Sequence, residues 1–312
     1  MDRVNRAPYL FPEGARLGEN NVLLHARARR HRVDNYSGPL SIKTVLAGRV
    51  TWIVAGRELV VDQSSFLLVS AGETYSMNIA AAHPVETCCV FFAPGFVERT
   101  VLDATSPLEQ SLDASERSGP AAPYLSAAHG DEERFLVGRV QSLAARCAQA
   151  LAPSAWEEDF LMIAVALLQF HERIREQTAR IPAIRQSTRE ELFRRLLTGC
   201  EYMHSHCSGP VSLAAASRAA CLSPFHFHRG FTQAFKQTPH TYLTGIRMAQ
   251  ARRMIEGGSR VLDACLDAGF SSPSAFSRLF RAQYGEAPSD VRRKNFARSG
   301  KKSTEGSGTL KA

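Results

Sequence analysis

Two sets of side chains with the chemistry to touch base edges and phosphates stand 49 residues apart. The first is Phe225, His228, Arg229 and Thr232, and the second is Ser274, Ser277, Arg278 and Arg281. A guanidinium can bond guanine O6 and N7 as a fork, and hydroxyls can bond bases or phosphates. Free N–H groups at helix starts and nearby Arg and Lys would add phosphate contacts. Each set needs a helix that buries its opposite face. Phe227, Phe231 and Phe235 recur at i, i+4 and i+8, as do Phe276, Phe280 and Tyr284, which is the stripe such a helix requires.

The elements around these sets repeat as well. Ala219–Pro224 reads A-A-C-L-S-P and Ala268–Pro273 reads A-G-F-S-S-P. At the same offset Leu213 matches Leu262, Ala215 matches Ala264, Phe227 matches Phe276, Arg229 matches Arg278, and Pro239 matches Pro288. Ser223-Pro224, Thr238-Pro239 and Ser272-Pro273 each place a cap before a proline at the first helical position. The spacing predicts helices at 189–205, 212–219, 224–235, 239–256, 261–268 and 273–284. A capping box at Ser187–Glu190 opens this region, and Gly257-Gly258 ends its long middle helix. One such unit alone would read as an ordinary helical bundle with exposed arginines. Two in register, each with Arg at the same place, predict two helix-turn-helix units reading adjacent stretches of major groove.

The strings Leu213–Ala219, Ser223–Arg229, Phe231, Thr238–Leu243, Arg247–Ala251, Ala268–Arg278, Phe280, Gly285 and Ala287-Pro288 resemble the arabinose-operon regulator (AraC/XylS) family of bacterial transcription factors. The resemblance covers about 188–296. It implies six or seven helices, the middle one joining the two units, with base or backbone contacts at Phe225, His228, Arg229, Ser274, Ser277 and Arg278. Two positions depart from the family pattern. Gly230 stands where a large apolar residue is usual, and Lys236 where a glycine is usual. Both point to a looser first unit.

Composition agrees with a two-part chain. Its 312 residues suit two domains, and 44% hydrophobic residues suffice for real cores. The net charge of +8 gathers at the back: residues 190–296 hold fourteen Lys and Arg against eight Asp and Glu. A near-neutral front with a basic back fits a sensor joined to a polyanion binder. Seven scattered cysteines lack a Cys-x-x-Cys pair, which argues against a zinc ribbon or a disulfide framework and fits a reducing cytosol. The Cys88-Cys89 pair is read as core packing. No signal peptide begins the chain, and the greasy run 160–170 is too short to span a bilayer.

The front half reads as an irregular arm over 1–20, then short strands at 42–46, 50–54, 58–61, 66–69 and 85–92, punctuated by Ala47-Gly48 and Ala55-Gly56. A Ser-, Gly- and Pro-rich loop follows at 111–130. Helices at 132–151, and at 155–175 behind a Ser154–Glu157 capping box, complete it. The expected fold is α+β in two domains. An antiparallel barrel or jelly roll, cupin-like, fills 1–180 with its helical segment at 131–178. An all-α double helix-turn-helix fills 188–298, and 299–312 is a disordered basic tail.

His25, Arg27, Arg29 and His31 alternate onto one strand face. The first three are the candidates for an anionic effector pocket, against the plainer reading of a solvated edge. No His-x-His with Glu and His is present, so no metal, cofactor or catalytic residue is expected. The function expected is a one-component transcription regulator. Its partners would be promoter DNA, RNA polymerase, a small-molecule effector and a second copy of itself, in the cytoplasm at the nucleoid, with no membrane. Rival readings are a cupin-type enzyme carrying a DNA domain and a DNA alkyl-repair sensor. The latter needs a zinc-binding cysteine cluster that this sequence lacks. A third is a regulator acting by abundance alone.

Overall fold

The computed structural model describes residues 6–63, 65–105, 127–129, 134–147 and 154–304. Its contacts divide into two units, residues 1–197 and 198–312. The division falls nine residues past the expected domain start at 188, inside a helix.

The first unit is built on an eight-stranded antiparallel sheet that curls into a half-barrel. Its strands are β1 (Arg6–Phe11), β2 (Val22–Ser37), β3 (Ser41–Ala47), β4 (Arg49–Val54), β5 (Arg57–Asp62), β6 (Ser65–Val69), β7 (Thr74–Phe91) and β8 (Ala127–His129). The order runs β1-β2-β7-β3-β6-β8, and β4 pairs with both β5 and β7. Strands β2 and β7 are far longer than the turn residues foretold. Each absorbs irregularities as bulges, including the break between Ala80 and Val85 that accommodates Pro84. The arm expected to be irregular contains β1, bonded to the outer edge of β2. Pro8 falls at the register shift between Arg6 and Tyr9, where a missing N–H costs little.

The two Ala-Gly punctuations differ. Ala55 (φ 49°) and Gly56 (φ 74°) form a two-residue hairpin between β4 and β5, both at positive φ as a type I′ turn requires. Gly48 (φ 86°) only redirects the chain, because β3 pairs with β6 and β7 and not with β4.

Inside the half-barrel a core gathers Val45, Val50, Trp52, Val54, Leu59, Val61, Leu67, Val69, Tyr75, Ile79 and Val85. Outside it lie α1 (Phe96–Thr105), absent from the sequence reading, α2 (Arg134–Cys147) and α3 (Ser154–Ala179). Phe66 on the outer face meets Phe170 of α3 edge-on at 5.2 Å. Cys88 and Cys89 point to opposite faces and are both buried, with thiols pushed up by desolvation. Of the expected loop at 111–130, only the stretch in β8 is described, and it is a strand paired with β6. The side chain of Ser154, and with it the Ser154–Glu157 box, lies outside the described side chains.

Helix α4 (Gln186–Ser205) begins one residue before Ser187, so Ser187 lies within its first turn and is not its cap. The carbonyl of Arg185 accepts the first helical bonds, from Thr188 and Arg189, and Gln186 reaches Glu190 at 2.8 Å. The second unit continues with α5 (Leu213–Ala219), α6 (Pro224–Phe235), α7 (Pro239–Glu256), α8 (Val261–Asp267), α9 (Pro273–Tyr284) and α10 (Pro288–Thr304). Helix α10 runs through residues 299–304, where a disordered tail was expected; residues 305–312 lie outside the described residues. Arg, Lys and Ala are good helix formers, and Gly300 is the one strong penalty in that stretch. No helix among the described residues is long and apolar enough to cross a membrane.

Candidate nucleic-acid interface

Each helix of the repeated pair starts where a side chain can satisfy free N–H groups. Ser223 accepts from the N–H of His226 at 3.2 Å, and its hydroxyl also meets His226 Nδ1 at 2.8 Å. Ser272 accepts from Ala275 N–H at 3.3 Å, and Thr238 from Thr241 N–H at 3.2 Å. The turns before them are not copies. In the first unit Ala220, Cys221 and Leu222 donate to the carbonyls of Ala216, Arg218 and Ser217. In the second, Ala268, Gly269 and Phe270 donate to Ala264, Leu266 and Cys265. The first helices therefore correspond at an offset of 48, while the second helices keep 49. Leu213 and Ala215 do not match Leu262 and Ala264 as the sequence implied. The second turn holds one more residue, Ser271 or Ser272, between its closing bonds and its cap.

This register exposes a second asymmetry. The left-handed turn position is Gly269 (φ 87°) in the second unit but Cys221 (φ 52°) in the first. The helix ends repeat the contrast: α9 stops at Gly285 (φ 73°) and α6 at Lys236 (φ 56°).

The buried stripe is as expected, with Phe227, Phe231, Phe276 and Phe280 wholly enclosed. Phe235 and Tyr284 are half-buried at its ends. On the other face Phe225 is 68% exposed, and His228, Arg229, Ser274, Arg278 and Arg281 are exposed. Thr232 and Ser277 are half-buried, and the Thr232 hydroxyl donates to the His228 carbonyl at 2.8 Å. Arg229, Arg278 and Arg281 have no ion-pair or hydrogen-bond partner among the described residues, unlike Arg252, which holds Glu256 at 2.8 Å. Six exposed groups, three of them uncommitted guanidiniums, thus sit on two short helices whose amino ends are open.

A family profile described as "Helix-turn-helix domain" matches residues 216–294. The chain carries a helix-turn-helix domain of the AraC type. An uncharacterized HTH-type transcriptional regulator, YbfI of Bacillus subtilis, is 24% identical over 218 residues, 70% of this chain and 71% of that protein. The HTH-type transcriptional activator RhaS of Escherichia fergusonii is 26% identical over 183 residues, 52% of this chain and 65% of that protein. Among solved structures, the DNA-binding domain of AdpA in complex with a target DNA is 27% identical. It covers 33% of this chain and 95% of that one, with a TM-score of 0.31.

Within the AraC-type domain, α7 does more than join the units. Its Arg247 donates through Nε to the Cys207 carbonyl at 2.8 Å and through Nη2 to the Gly209 carbonyl at 2.7 Å. Gln250, one helical turn on, reaches Ser208 at 3.0 Å. Gly269 closes against the same point, where an added Cβ would lie 2.8 Å from the Cys207 carbonyl oxygen. The loop after α4, the joining helix and the second turn are thereby pinned together. Sequence reading passed over this role, although Arg247 stood in the string that carried the resemblance.

The candidates ahead of the AraC-type domain are placed differently. His25 bonds Glu86 at 2.7 Å, and Arg27 and Arg29 are exposed. His25 lies opposite Cys88, and Arg27 opposite Glu86, on the outer face of the sheet. The cation inside the half-barrel is Lys43, which sequence reading missed. It is 1% exposed and donates to Tyr75 Oη at 3.0 Å, beneath the rings of Phe91 (3.7 Å) and Tyr75 (4.4 Å). Among the described residues no group of three or more His, Cys, Asp or Glu is placed to hold a metal ion.

Proposed function

We propose that the protein is a promoter-binding transcription regulator in which α6 and α9 enter neighbouring segments of one major groove. The observation that carries this reading is the pair of capped helices whose exposed faces offer three arginines with no internal partner. Arg229, Arg278 and Arg281 supply forked contacts to guanine or phosphate; His228, Thr232, Ser274 and Ser277 supply shorter polar contacts. The exposed ring of Phe225 suits a thymine methyl. Residues 1–180 sense a small molecule and bring two copies together, and residues 188–298 bind DNA and meet RNA polymerase in the cytoplasm. The same name on relatives, transcriptional regulator or activator, supports this assignment.

A fragment from 185 to 298, which keeps α4 whole, should select a duplex from a random pool. Its affinity for that duplex should fall steeply as salt rises, since neutralising phosphates releases counterions. No selected sequence, or an affinity indifferent to salt, would refute the reading.

A further inference from the structure

The interior of the half-barrel holds a polar group that its own fold leaves unbalanced. Lys43 and Ser41 lie two residues apart on one face of β3, between Phe91 and Cys89 of β7 on one side and Val69 and Leu67 of β6 on the other. Both are fully enclosed. The ammonium has three N–H donors and gives one to Tyr75 Oη; no carboxylate faces it among the described residues. The Ser41 hydroxyl has no partner at all. Because Tyr75 accepts from Lys43, its own O–H remains a donor, and burial holds it in the protonated form by pushing its pKa up.

Three donors converge in a wall of aliphatic and aromatic side chains, with no acceptor to meet them. A buried ammonium without an anion is costly, because neither water nor a counter-charge replaces its hydration. The two ring faces offset only part of that cost. A carboxylate is acceptor-only and can take two or more donors at once, so it complements this set where a neutral amide or alcohol would not. The surrounding surface, with Trp52, Tyr36 and Val69 near it, suits an apolar body. We propose that the half-barrel interior binds a small carboxylic acid with an apolar body, its head group held by Lys43, Ser41 and Tyr75. This deepens the sensing role proposed for residues 1–180 and rests on it.

The test uses the full chain and calorimetry with benzoate and hexanoate, each set against its neutral counterpart, benzamide and hexan-1-ol. At least one acid should bind, and its neutral partner should bind at least tenfold more weakly, the loss expected when a charged hydrogen bond is forfeited. Lys43→Met should abolish acid binding while keeping duplex binding and a cooperative melt, since Met fills the same space without a charge. Ser41→Ala, which removes one hydroxyl, should weaken the acid several-fold and guards against misfolding of the first variant. The proposal is overturned if neither acid binds, if the neutral compounds bind equally well, or if Lys43→Met binds the acids undiminished. Failure of the unaltered chain to bind any duplex would instead sink the regulator reading, while acid binding would still be measured in the same samples.

Discussion

Cys221 and Lys236 adopt a backbone conformation that the second unit gives to glycines. A Cβ at positive φ crowds the following carbonyl and costs roughly 1–2 kcal/mol per residue. Part of that is returned by the narrower freedom of the unfolded chain. Cys221→Gly and Lys236→Gly should therefore each raise the stability of the fragment 185–298 by about 0.5–1 kcal/mol, readable by urea unfolding. Equal or lower stability would mean that these side chains make contacts worth more than the strain. Arg278→Ala should cost about 1–3 kcal/mol on the best duplex and relax discrimination at one base step. Uniform weakening over a panel of single-base variants would demote Arg278 to a phosphate contact. The exposed arginines were legible because the Phe stripe fixes their face. Lys43 was not: every residue from Ser41 to Val45 is buried, so alternation cannot say which side of β3 is the inside.

At the scale of elements, serine and threonine before proline marked three helix starts to the residue. The register of α5 against α8 escaped because A-A-C-L-S-P and A-G-F-S-S-P can be aligned without a gap. Only the carbonyls that receive the turn's N–H groups reveal the extra residue. Helix α10 and β1 escaped because each is set by a neighbour: β1 by the open edge of β2, and α10 by Val291 entering the core around Met248 and Phe280. Helix α7 has eighteen residues, or about 27 Å at 1.5 Å per residue. Its Arg247 clamp makes the second unit move with it. One fragment should therefore protect two groove segments about one helical turn, roughly 34 Å, apart in a footprint. A single short patch would mean that only one unit engages, and the strained turn and helix end assign that failure to the first.

At the scale of the molecule, Lys43 ties the front unit to pH. Its pKa is lowered to about 8 by desolvation, partly opposed by the Cys89 thiol. Between that value and the ordinary 10.5 the unfolded chain holds the extra proton, so this group adds stability as pH rises through that window. Below it both states are protonated and the contribution is flat. The raised thiols of Cys88, Cys89 and Cys147 and the raised Tyr75 hydroxyl act in the opposite sense at alkaline pH, so the clean quantity is a difference. Lys43→Met should be more stable than the unaltered chain by roughly 3 kcal/mol at pH 7, narrowing as pH climbs toward 10. A gap that does not change with pH would place the stabilisation in packing and not in charge. The two-unit layout was legible from the basic back and the neutral front, but the curl of the sheet was not, because it depends on bulges in β2 and β7 that no residue announces. The unequal turns carry one more implication. Because the two helix-turn-helix units follow head to tail and differ in turn length and in exposed residues, a site that fits them has no internal two-fold symmetry. The bound protein then has a heading along the duplex, as an arrow does. Inverting the site in place keeps every base pair but reverses that heading, so orientation becomes information the operator carries alongside its sequence.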